Sequence, residues 1–184
     1  MNFIESLKAA RRVSVPLLLI QTADQFAAIE RISKALTNGR EFPIVGWDII
    51  NGLRGINPQG KSEVKQMVPD GMTPEAATAN PAEALSLCIK RLPDLSVVFF
   101  MNAQRFVDNE AVAQAVLNAR DSFKSNGRTL IMTAPEIKLP MELQQDVLIL
   151  DEALPDEKQL EEIATEIYKS AELKKPDDET LKKI

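Results

Sequence analysis

The 184-residue sequence contains no histidine and a single cysteine, Cys88. Without histidine, neither the common zinc ligand sets nor a Ser/His or Cys/His nucleophile pair can be assembled from this chain alone. A lone cysteine makes no internal disulfide. Cys88 lies among Ala84, Leu85, Leu87 and Ile89, a helical apolar pattern that predicts a small buried hydrophobe rather than a reactive thiol. Chemistry is left to carboxylates, lysines, the one tyrosine or a cofactor. No apolar run approaches the ~18 residues of a spanning helix, and Met1 to Arg12 lacks the apolar stretch and cleavage site of a secretory signal. The expected compartment is therefore the cytoplasm, with no membrane contact. Nor is positive charge gathered anywhere: the net charge is -5 and the basic residues are scattered, so no electrostatic footprint for nucleic acid can be read.

What is present is ordinary globular material, with 45% hydrophobic and 27% charged residues. Three short, nearly continuous apolar runs, Val15 to Gln21, Leu95 to Met101 and Thr129 to Thr133, predict strands buried on both faces of a parallel sheet. Phe42 to Ile50 and Asp146 to Leu150 complete a five-stranded set. Helical stripes lie between them. Phe26, Ile29, Ile32 and Leu36 follow Asp24 as N-cap and stop at Asn38-Gly39; Asn80-Pro81 opens a helix through Arg91; Val112, Ala115, Val116, Ala119 and Phe123 stop at Asn126-Gly127. A helix over Phe3 to Arg12 begins the chain, and Leu160, Ile163, Ala164, Ile167 and Tyr168 predict another after Leu154-Pro155. Strands alternating with helices give a three-layer α/β sandwich. The stretch 51–79, rich in Gly, Pro and polar residues, breaks this rhythm and is expected to be a long mobile loop with one helical turn near Ser62 to Met67. The expected domain is 1–172, followed by a tail, 173–184, that begins a lid helix or a linker.

The order of these elements resembles the core of an AAA+ ATPase over roughly Phe3 to Tyr168. The most specific part is the strand ending at Thr133, the turn around Pro135 and Pro140, the strand Asp146 to Leu150 and the Leu154-Pro155-Asp156 helix start. With Thr22-Ala23-Asp24, Trp47 and Gly52-Leu53-Arg54, it resembles more closely the degenerate N-terminal ATPase-like domain of the uncharacterised AAA+ proteins of cyanobacteria and plastids. The resemblance implies a five-stranded parallel sheet of the P-loop NTPase type, with the helical lid absent or truncated.

Set against that family, the ATPase machinery is missing. A phosphate loop needs G-x-x-x-x-G-K-[ST] between the first strand and its helix, so that backbone N–H groups reach the phosphates and a lysine balances their charge. Here that place reads Gln21-Thr22-Ala23-Asp24-Gln25. Asp24 at a helix N-terminus repels phosphate, so Thr22 and Asp24 read as a cap. Where the family carries Asp-Glu for magnesium and water, the chain has Asn102-Ala103-Gln104: relics of a site or, as we read them, strand-end polar residues. Thr133 stands where a polar sensor of the γ-phosphate is expected. The segment Leu143 to Asp146 has no arginine to act as a finger. One literal match to the phosphate-loop pattern does exist elsewhere, Gly55-Ile56-Asn57-Pro58-Gln59-Gly60-Lys61-Ser62, but only Val64 and Met67 follow it before Pro69. It is read as chance, with a genuine phosphate site as the alternative.

The expected function is a non-catalytic scaffold or interaction domain, without a cofactor and with an AAA+ domain as protein partner. The alternatives are an ATP/Mg binder or weak NTPase using Gly55 to Ser62, and an inactive AAA+ subunit on nucleic acid using Arg54, Lys61 and Lys65.

Overall fold

The structure, a computed structural model, describes residues 3–39, 41–152, 164, 165, 168 and 169. The chain divides into two compact units, Met1–Glu152 and Ala153–Ile184, and the sheet belongs to the first. The last strand of that unit ends at Asp151, and Glu152 closes it: its N–H donates to Gln21 O at 2.9 Å and its carboxylate pairs with Arg31. Most of the helix expected after Leu154-Pro155 and the whole tail from 173 lie outside the described residues. Among the described residues no helix is long and apolar enough to cross a membrane.

The elements in order are α1 (Phe3–Arg12), β1 (Leu17–Gln21), α2 (Gln25–Thr37), β2 (Ile44–Asp48), β3 (Gly52–Gly55), α3 (Pro58–Met67), α4 (Pro74–Ala77), α5 (Pro81–Arg91), β4 (Val97–Phe100), a 3₁₀ turn (Ala103–Arg105), α6 (Glu110–Lys124), β5 (Thr129–Ala134) and β6 (Leu148–Asp151). The sheet order is β3-β2-β4-β5-β1-β6, parallel throughout except for the β2–β3 hairpin. The sheet thus has six strands where five are expected.

The extra strand comes from the stretch read as a mobile loop. Asp48 accepts from the N–H groups of Ile50 and Asn51 at 3.0 and 2.9 Å and from the Asn51 side chain, which turns the chain so that Gly52–Gly55 runs back along β2. The outward N–H of Leu53 meets the buried Thr78 hydroxyl at 2.7 Å, which blunts the sheet edge. The Asn57-Pro58 and Thr73-Pro74 pairs then open α3 and α4.

Strand periodicity divides the core. Leu17 and Leu19, Val98 and Phe100, and Leu130 and Met132 face the larger half with α3, α5 and α6; Leu18 and Ile20, Val97 and Phe99, and Ile131 face the half covered by α1 and α2. Trp47, on the larger side, stacks on Phe100 at 4.9 Å and donates its indole N–H to Thr78 O at 2.7 Å, so the ring gains burial without an orphaned donor. The buried Arg128 donates to the carbonyls of Cys88, Ile89 and Leu92, satisfying the end of α5. Cys88 is buried as expected, and burial pushes its thiol up to about 12.

Candidate functional site

In an open α/β sheet the ligand crevice lies beyond the carboxyl ends of the strands. Here β1, β4 and β5 end side by side, with β1 leading into α2. Only Thr22, Ala23 and Asp24 separate β1 from α2. Thr22 is buried. Its N–H donates to Ala134 O at 2.9 Å, and its hydroxyl accepts from Asp24 N at 3.2 Å. The Asp24 carboxylate accepts from Ala27 N at 3.0 Å. This is the N-cap expected from the sequence, and it places negative charge at the positive end of α2.

The next residue was not singled out by the sequence. Gln25, first in α2, reaches across the strand ends. Its amide nitrogen donates to Asn102 Oδ1 at 2.9 Å, while its carbonyl accepts from Asn102 N at 3.0 Å and from the Thr133 hydroxyl at 2.6 Å. Asn102 can offer both groups because it turns back at φ 53° two residues beyond the end of β4, a left-handed conformation that Asn tolerates better than most residues. Thr133 is fully buried. The structure thus unites three strand-end positions, the start of α2, Asn102 and Thr133, through one side chain. Gln104 does not join them: it lies in the 3₁₀ turn with Oε1 buried and lacking a donor among the described residues. All these groups are neutral amides and hydroxyls, suited to hydrogen bonding but not to general-base work or to balancing a metal ion's charge.

On the segment before β6, Asp146 pairs with Arg120 of α6, whose guanidinium also donates to Asp121 at 2.8 Å. These hydrogen bonds raise the Arg120 pKa and bind the arginine to its own domain.

The G-x-x-x-x-G-K-S letters fold into a strand end and a helix. Gly55 closes β3, Ile56 and Asn57 connect, and α3 already starts at Pro58, so Gly60, Lys61 and Ser62 are helical. Asn57 Oδ1 fills the helix end, accepting from Gly60 N at 2.8 Å and from Ile44 N at 2.9 Å. Both glycines serve close packing. A Cβ on Gly60 would stand 2.0 Å from Ile44 O, and one on Gly55 would stand 2.0 Å from Lys61 N. Lys61 and Ser62 are exposed. Lys61 does share a groove of about 540 Å³ with Arg54 and Lys65, but Asp70 and Glu75 line it too. Arg54 also lies 3.5 Å from Asp48.

The chain as a whole is similar to known proteins. The chain matches the family described as SpoVK-like AAA ATPase, N-terminal domain, over residues 3–152. It is similar to the "Uncharacterized AAA domain-containing protein ycf46" of Trieres chinensis, 23% identical over 94% of this chain and 32% of the relative. The protein of the same name from Guillardia theta is 21% identical over 92% of this chain and 31% of the relative. The chain therefore spans about a third of the length of these curated relatives. Among solved structures, domain III of the Thermotoga maritima replication initiation protein DnaA superposes with a TM-score of 0.59 at 11% identity, over 97% of this chain and 72% of that one, a likeness of fold alone. With the match running from the first helix through the last strand of the sheet, the chain belongs to the family of SpoVK-like AAA ATPase N-terminal domains.

Proposed function

We propose that this domain is a non-catalytic, cytoplasmic AAA+-type module that works by protein contact, its partner being an AAA+ domain of the same polypeptide or oligomer. The observation that carries the reading is Gln25. In a P-loop ATPase the space beyond β1 is wrapped by a glycine loop and filled by phosphate; here a three-residue connection leaves no loop, and the Gln25 amide fills the space against Asn102 and Thr133. A magnesium-bound triphosphate does not fit these residues. It would meet the Asp24 carboxylate at the helix end, no cation in the connection, and a hydroxyl already committed to Gln25. The pairing of Arg120 with Asp146 supports the same reading, because it holds that arginine within its own domain.

The test is a thermal melt with saturating Mg-ATP. A ligand at 100 times its Kd adds roughly 2.7 kcal/mol of stability, several degrees in a domain of this size. The expected shift is below ~1 °C, unchanged by Lys61→Ala. A shift of several degrees that Lys61→Ala abolishes would establish the nucleotide-binding alternative at Gly55 to Ser62. The groove of Arg54, Lys61 and Lys65 supports a second reading, contact with nucleic acid. Its signature would be binding to a mixed-sequence duplex that weakens steeply with salt and is lost on Lys61→Ala/Lys65→Ala.

A further inference from the structure

The other end of the sheet carries a recess that none of these readings uses. It is a cavity of about 370 Å³, lined by Lys8, Arg11 and Arg12 of α1, with Phe42 and Leu95 among its apolar walls and no carboxylate among its lining residues. Phe42 precedes β2 and Leu95 precedes β4, so the recess lies at the amino ends of the strands, away from Gln25. Spacing on α1 explains the charge: residues at i, i+3 and i+4 share one helix face, which brings all three cations to the same side. Three positive charges gather there on a protein whose net charge is -5.

The apolar wall is held in place at a cost. Leu95 has φ 65°, a conformation that is an outlier for a bulky side chain, and the residue is 55% exposed. Two long-range bonds hold it, from its N–H to Asn126 O at 3.1 Å and from Arg11 Nη2 to its carbonyl at 2.9 Å. Arg11 also donates to Thr129 Oγ1 at 3.0 Å and lies 5.1 Å from the Phe42 ring centre, making it a fixed wall rather than a mobile arm. A strained, solvent-facing leucine beside a cationic recess is the combination that a ligand with both charge and an apolar side chain would satisfy.

We infer that this recess docks an acidic, leucine-bearing segment of a protein partner, with a carboxylate against Lys8 and Arg12 and the apolar side chain against Leu95 and Phe42. This deepens the contact-module reading and rests on it. The two fail separately, since the Mg-ATP melt addresses the strand ends and the experiment here addresses the recess.

The experiment is fluorescence anisotropy at low ionic strength with a labelled Asp-Glu-Leu-Asp-Glu-Leu peptide. Expected is saturable binding that falls at least ~10-fold in Lys8→Gln/Arg12→Gln, a loss that reads directly as a Kd ratio. Leu95→Gly separates docking from folding. Glycine accepts φ 65° freely, so its melting temperature should hold or rise while peptide affinity drops at least ~5-fold. The inference is overturned if the peptide does not saturate, or if either variant binds like the parent with its fold intact. It is equally overturned if a peptide with serine in place of leucine binds as well, which is bulk charge attraction, or if inorganic phosphate or a single-stranded oligonucleotide displaces the peptide at comparable concentration, which assigns the recess to phosphates.

Discussion

One amide, on Gln25, takes part in three hydrogen bonds spanning 77 and 108 residues of sequence. Removing it with Gln25→Ala leaves the buried Thr133 hydroxyl without that acceptor. An orphaned buried group costs more than an exchanged one, so the expected loss is about 1–3 kcal/mol by urea denaturation, with no gain of ATP affinity. The Asp48 carboxylate offers a second residue-scale test. Burial alone would push its pKa up, but the Asn51 side chain, the N–H groups of Asn51 and Ile50, and Arg54 together hold it below the ordinary carboxylate value. A depressed folded-state pKa means the contribution is fully present above the unfolded value and is lost as pH falls through the folded one. The stability gap between the parent and Asp48→Asn should therefore be flat near neutrality and close below about pH 4.

At the scale of elements, what could be read depended on how local its cause was. Caps are local: Asp24 and Asn80 were legible from neighbours within three residues, and both make the expected bonds. The strands β1, β4 and β5 were legible as buried apolar runs. β3 was not, because Gly52-Leu53-Arg54-Gly55 has one apolar side chain and no alternation; its partners are β2 and a threonine 25 residues away. A usable sign of α3 was present in Asn57-Pro58, the same pair that announced α5 at Asn80-Pro81. Gln25 itself looked like any polar helix start, because nothing near it in sequence reveals its distant partners. The hairpin and α3 also make a prediction. Gly60→Ala drives a methyl into Ile44 O, so it should destabilise by at least about 2 kcal/mol in chemical denaturation. That loss should be the same with and without Mg-ATP, whereas a phosphate-binding glycine would show a nucleotide-dependent difference.

On the proposed function, the molecule as a whole keeps an AAA-type fold while Gln25 occupies the strand ends where a P-loop ATPase holds phosphate. The layers, the strand order and the matched family are those of an AAA-type domain. At that end Gln25 joins Asn102 and Thr133 across a three-residue connection, and Arg120 pairs with Asp146. The proposed contact function would then use surfaces, with the cationic recess at the opposite end of the sheet as its inferred address. The most direct measurement is an amide NMR titration of the protein with Mg-ATP, following the Gln25 side-chain amide and the Asn102 backbone amide. The account predicts that both resonances stay in place at millimolar nucleotide; saturable shifts of both, with the Gln25 amide released to solvent exchange, would contradict it.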